Sequence, residues 1–230
     1  TGRISTGFKN LSFEGPVAIN NIRLANIIGE SPGLGNATMF ANAKVNIPTD
    51  SLLSVAADGY FESLQYKGFE YNDLSFNGVY KENNVSANFE MDSPNNQFNI
   101  FGDVTFGDQL GFILKGDIAQ LDLRPFLMMD SWKTPTISTK IDGQMTGEAI
   151  DNLSGTLVIE NTSIVDSNFI YNPGPIYLQA LNDSVEGKKI QLMSTFMEAE
   201  IVGDYYFTSI VKEVKNAIQP HLPSILKSSD

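Results

Sequence analysis

Residues 98–118 read FNIFGDVTFGDQLGFILKGDI, and the phase of this stretch decides the fold. Phe98, Ile100, Val104 and Phe106 fall on alternate positions, with Gly102 in the same phase. After Gly107 and Asp108 the pattern returns as Phe112, Leu114 and Ile118, with Gly116 in phase. The intervening positions of the first run carry Asn99, Phe101, Asp103 and Thr105. A period of two means strands with one apolar and one wet face. The Gly-Asp pair between them is turn chemistry, so the two strands form a hairpin. A glycine at mid-strand removes a side chain from the apolar face, where a sheet can then bend.

The same signature extends in both directions. It reads Leu11, Phe13, Gly15, Val17, Ile19 upstream, and then Leu74, Phe76, Gly78, Tyr80. Downstream it closes with Ala199, Ile201, Gly203, Tyr205, Phe207, and looser copies centre on Gly59, Gly143 and Gly155. Val85, Ala87, Phe89 and Met91 alternate with Ser86, Asn88 and Glu90. Such contrast belongs to antiparallel sheets solvated on one side; a parallel α/β sheet would show unbroken apolar runs. Turn residues fill the short gaps: Glu82-Asn83-Asn84, Ser93-Pro94-Asn95-Asn96 and Asn182-Asp183-Ser184. Short gaps join neighbouring strands, which makes a meander. The expected fold is all-β: a long curved antiparallel meander of about a dozen strands, each roughly 30 Å long. Residues 1–230 form a single unit of it, with no linker that divides the chain.

Two stretches break the alternation. Residues 122–130 suit a short helix, with Asp122 as cap and Pro125 in the first turn. Arg124 is placed to order it by pairing with an acid, and Trp132 to pack it against the sheet edge. Residues 208–219 carry Ile210, Val211, Val214 and Ile218 at helical spacing before Pro220, an amphipathic helix able to lie over an opening or plug it.

Composition narrows the function. The net charge of −12 repels phosphate backbones and anionic headgroups, which disfavours nucleic acid and polybasic membrane docking. With no cysteine there are no disulfides, thiol nucleophiles or thiolate metal sites, a composition that suits an oxidising compartment. No run of apolar residues is long enough for a membrane-spanning helix. The first residues already read as strand, so the chain is expected to be an internal segment of a longer protein.

The apolar face is the candidate site. Leu74, Phe76, Phe89, Met91, Phe98, Ile100, Phe112, Leu114, Ile141, Leu157 and Ile201 are its expected lining. Gly15, Gly78, Gly102, Gly116, Gly143 and Gly203 are the expected points of curvature. Each inward Phe, Leu or Ile gains roughly 1.5–3 kcal/mol on burial, so such a face does not stay open to water. If the halves of the bent sheet touch, these residues are a core. If they stay apart, they line a U-shaped groove for acyl chains.

The alternating strands with in-phase glycines resemble the TamB family of the AsmA-like superfamily, the translocation and assembly module of bacterial envelopes, in its Bacteroidetes-type form. So do LKGDIAQLDLRPF at 114–126, NLSGTLVIENTSI at 152–164 and IQLMSTFMEAEIVGDYYFTSI at 190–210. The resemblance implies a β-taco groove in an inner-membrane-anchored, periplasm-crossing protein that moves phospholipid toward the outer membrane. It implies phospholipid acyl chains as ligand and an Omp85-type outer-membrane barrel as partner, with membrane contact through parts of the parent protein outside this segment. The alternative it implies is a module for outer-membrane protein insertion or secretion that carries no lipid. An outer-membrane barrel also alternates, but its glycines would face lipid and the aromatic girdles are missing.

Nothing points to an enzyme or a cofactor. His221 is the single histidine, between Pro220 and Pro223, and has no second His or Cys with which to build a metal or catalytic site. Glu198 and Glu200 sit at i, i+2 on the wet face, where a solvated role is expected rather than acid–base chemistry.

Overall fold

The computed structural model describes residues 2–7, 10–24, 26, 33–48, 52–126, 132–167, 169–183, 187–207 and 209. Among them one antiparallel sheet of fifteen strands forms, and it does not close into a barrel. The strands are β1 Arg3–Gly7, β2 Asn10–Arg23, β3 Leu34–Pro48, β4 Ser54–Tyr66, β5 Phe69–Tyr71, β6 Leu74–Lys81, β7 Asn84–Asp92 and β8 Gln97–Thr105. They continue as β9 Leu110–Asp122, β10 Thr136–Gly147, β11 Ser154–Asp166, β12 Phe169–Tyr171, β13 Ile176–Asp183, β14 Gly187–Ser194 and β15 Glu198–Val202. Their spatial order is their chain order, except that β5 pairs with β4 and β12 with β11 beside the main path. The meander read from the alternation is therefore the fold. Several strands, at 13 to 15 residues, are longer than the roughly 30 Å expected.

The turns follow from residues that tolerate a left-handed backbone. Glu82 and Asn83 both have positive φ, +50° and +62°, and join β6 to β7 through a two-residue hairpin. Lys67 (+48°) and Gly68 (+82°) do the same between β4 and β5. Two consecutive positive φ values match the twist of the flanking strands, so these hairpins hold their register.

Two expected elements need correction or fall outside the description. Asp122 is the last residue of β9 rather than a helix cap. Its Oδ1 accepts the Arg124 backbone N–H at 2.9 Å, and Phe126 N donates to Leu123 O at 2.9 Å, a single tight turn after the strand. Residues 127–130 lie outside the described residues. The amphipathic tail at 208–219 also lies outside them, apart from Ser209, and so does His221. Trp132 packs edge-on against Phe169 at 6.4 Å, on the short strand β12.

Candidate functional site

Register decides which side chains share a face, because directly paired residues point the same way. One row runs across twelve strands: Gly15, Ala43, Ala57, Gly78, Ala87, Gly102, Leu114, Gly143, Leu157, Leu178, Leu192 and Ala199. Its first six members have at most a methyl group, so it forms a low floor. On one side runs Gly59, Phe76, Phe89, Ile100, Gly116, Ile141 and Ile159. On the other runs Val45, Val55, Tyr80, Val85, Val104, Phe112 and Met145. Met91, Phe98 and Ile118 continue the same face toward one end of the strands. Leu74 pairs with Phe61 there, and Ile201 pairs with Ile190 at the far side. All eleven expected lining residues therefore share one face. The opposite face carries rows such as Asp58, Asn77, Asn88, Phe101, Lys115 and Asp142.

The glycines of this face differ in what they do. A Cβ on Gly155 would lie 2.0 Å from Gln144 O, and its φ is +156°. A Cβ on Gly59 would lie 2.1 Å from Phe40 O. At these two points neighbouring backbone comes too close for any side chain. At Gly102 a Cβ would meet no heavy atom of the described residues within 4 Å. At Gly78 and Gly116 it would meet ordinary contacts from Ser86 and Ala87, or from Ile141, all on adjacent strands. Among the described residues no opposing wall is in contact at these three positions. Their glycines leave space rather than permit a strained backbone. Gly203 departs from the expected pattern: it lies just past the end of β15, with φ +126°, and turns the chain out of the sheet.

Exposure follows the same division. Phe89 is 38% and Leu114 41% exposed although both sit mid-sheet. Interior packing would bury both, so among the described residues nothing covers the centre of the apolar face. One end is closed instead. Met91 is 3% exposed, and Leu74 and Ile118 are buried with it.

A clasp forms at that end. The β4–β5 hairpin presents Tyr66, Phe69 and Tyr71 on one side and Gln65 and Glu70 on the other. The Tyr66 ring lies 5.7 Å from Phe126, and the Arg124 guanidinium lies 5.3 Å from the Phe69 ring. Along the sheet, β4 and β9 are four strand spacings apart, about 19 Å if flat. The aromatic side of the hairpin meets the end of β9 only because the sheet curls at this corner. Arg124 Nε donates to both Asp122 oxygens at 3.0 and 2.8 Å, the acid pairing expected of it. Burial pushes the Asp122 carboxyl up, but the Arg124 hydrogen bonds and charge outweigh it and hold the group below the usual carboxylate range. Burial, then the neighbouring Asp122, raises the Tyr71 phenol. The Tyr71 hydroxyl is buried and has no hydrogen-bond partner among the described residues.

At the other side the chain covers its own face. After Gly203, Tyr205 and Phe207 fold onto Ala180, Ile190, Leu178 and Ile201, with the two rings edge-on at 5.5 Å. Alternation predicts a strand through Phe207; pairing stops at Val202, and the last two aromatics become a lid over their own sheet.

The polar face holds open depressions. One of about 870 Å³ is lined by Phe40, Tyr60, Asp58, Asp73 and Asn77. Another of about 530 Å³ is lined by Asn99, Phe101, Lys115, Asp117, Lys140 and Asp142. Charges of both signs share the second, with Lys140 paired to Asp117 at 3.5 Å, so no field of one sign develops there. Glu198 and Glu200 lie exposed on this face; Lys189 Nζ approaches Glu200 at 2.9 Å, and this hydrogen bond, with one from Gln191, holds the Glu200 carboxyl below its usual range. Among the described residues no three His, Cys, Asp or Glu side chains could hold a metal, and no helix is long and apolar enough to cross a membrane. Comparison with protein families, with curated proteins and with solved structures gives no match.

Proposed function

We propose that this chain is a segment of a periplasm-spanning envelope protein whose apolar β-groove shields phospholipid acyl chains in transit toward the outer membrane. One observation carries the reading. From β2 to β8 the floor of the apolar face is glycine and alanine, and no atom of the described residues lies within 4 Å of a Cβ built on Gly102. A contiguous apolar face left uncovered at its centre marks a binding surface. Flanking Phe, Ile and Val side chains supply non-directional contact, which suits a hydrocarbon chain, and no charged side chain stands in the floor row to be desolvated. The anchor in the inner membrane and any Omp85-type barrel partner belong to this proposal through the TamB resemblance.

The test uses a photoactivatable fatty acid. The unaltered chain is expected to crosslink to it along β6–β10, and phospholipid is expected in native mass spectra after gentle extraction. Ile100→Arg places a charge beside the floor; it should abolish crosslinking with an unchanged far-ultraviolet strand spectrum. Undiminished labelling of that variant refutes the groove.

A second reading, a lipid-free module for outer-membrane protein insertion, has its own support. Among the described residues β1 and β15 each pair on one side only. Such edges accept a further strand. Binding of strand-forming barrel peptides without any lipid labelling would favour it.

A further inference from the structure

We infer that residues 203–207 are a displaceable stop that ends the groove, occupying the apolar face over β13–β15 in place of a ligand chain. Followed across the apolar face toward β13 and β14, exposure falls. Val85 and the floor residue Leu114 stand open, whereas Ala180 is 0% and Ile190 8% exposed. The register keeps all four on the same face. What differs is Tyr205, itself 6% exposed, and Phe207, which cover the second pair. An acyl chain running along the floor therefore meets the Tyr205 and Phe207 rings before it reaches Leu178 and Ile190. Ligand and stop compete for the same carbon surface.

The attachment is built for release. Gly203, with φ +126° and open space where a side chain would be, is the pivot. Its N–H still donates to Lys188 O at 3.0 Å, so β15 keeps its end when the segment beyond moves. Lys188 also holds the stop from the side: its Nζ donates to Tyr205 O at 3.3 Å and Asp151 O at 2.8 Å and lies 5.8 and 5.7 Å from the Tyr205 and Tyr206 rings. One half-buried cation and two rings make the latch; no strand pairing is broken when it opens. Burial raises the Tyr205 phenol, in keeping with a ring tucked under the chain.

The stop is tested apart from the cargo. The chain has no cysteine, so Ile190→Cys carries a single thiol. It should react slowly with a small maleimide, and on the order of tenfold faster once Tyr205→Ser and Phe207→Ser are added, as local opening then becomes cheap. Leu114→Cys should react fast in both backgrounds. Lys188→Met, which leaves the apolar cover in place, should give an intermediate rate and guards against misfolding of the double variant. Equal Ile190→Cys rates with and without the cover overturn the inference. The cargo part rests on the groove reading: photoactivatable fatty acid should label β6–β10 in the parent chain and extend to β13–β14 only in the variants. Labelling of β13–β14 in the parent overturns the stop, whereas absence of labelling anywhere overturns the groove and leaves the thiol rates to decide the stop.

Discussion

Replacing Gly102 decides whether the apolar face is a groove or a core. The residue sits mid-β8 between Ala87 and Leu114, has no left-handed backbone, and among the described residues has no heavy atom within 4 Å of a built Cβ. Gly102→Ala should therefore stabilise the chain by about 0.4–1 kcal/mol, because the unfolded chain loses freedom and nothing in the folded sheet is disturbed. Gly102→Val should do at least as well, since a β-branched residue suits the pleat. If an opposing wall packed here at interior density, the added carbons would instead cost about 1–3 kcal/mol. The sign alone discriminates. Gly155→Ala is the matched control: with φ +156° and Gln144 O at 2.0 Å from its Cβ, it should lose about 2–4 kcal/mol from strain and clash. The assay is urea unfolding followed by far-ultraviolet circular dichroism and by fluorescence of Trp132, the single tryptophan. Coincident curves and a shared slope confirm that the free energies are comparable. A loss above about 1 kcal/mol in Gly102→Ala, or a neutral Gly155→Ala, refutes the reasoning.

Asp122→Asn should lower stability at neutral pH by about 1–2 kcal/mol, since it removes a charge-assisted pair to a partly exposed Arg124. The Asp122 contribution is present above the unfolded-state value of 3.8 and is lost as pH falls through the depressed folded-state value, so the parent should lose a component of stability below pH 3.8 that the variant lacks; parallel acid dependence of the two chains counts against the pair. Tyr71→Phe should be neutral or stabilising by up to about 1 kcal/mol, because the deleted hydroxyl is buried without a partner among the described residues; a clear loss in thermal or urea unfolding would mean that the hydroxyl is satisfied.

Much of this was written in local chemistry. Phe98 to Phe106 and Phe112 to Ile118 fixed two strands and their facing, and Gly107-Asp108 placed the turn between them. That Arg124 would pair with an acid was legible; that the acid is Asp122, read as a helix cap, was not. What misled was ambiguity at short range. LDLRPF supports a helix start as well as it supports a strand end, and pairing of Leu121 and Asp122 with β10 extended the strand. Ala199 to Phe207 alternates throughout, yet alternation only says that two faces differ. It does not say that a partner strand exists to hold Tyr205 in the sheet.

Sequence by itself determined the all-β class, the meander order and which residues face the apolar side, because period two and turn residues act over a few neighbours. Only the tertiary structure decided the rest. Register aligned scattered glycines and alanines of β2 to β8 into a low floor that leucines continue toward β14. Curling brought Tyr66 to Phe126, sixty positions apart by number. Packing placed Tyr205 over Ala180. Each of these depends on distances between residues far apart in the chain, and no local pattern encodes whether the space above a glycine is filled or empty.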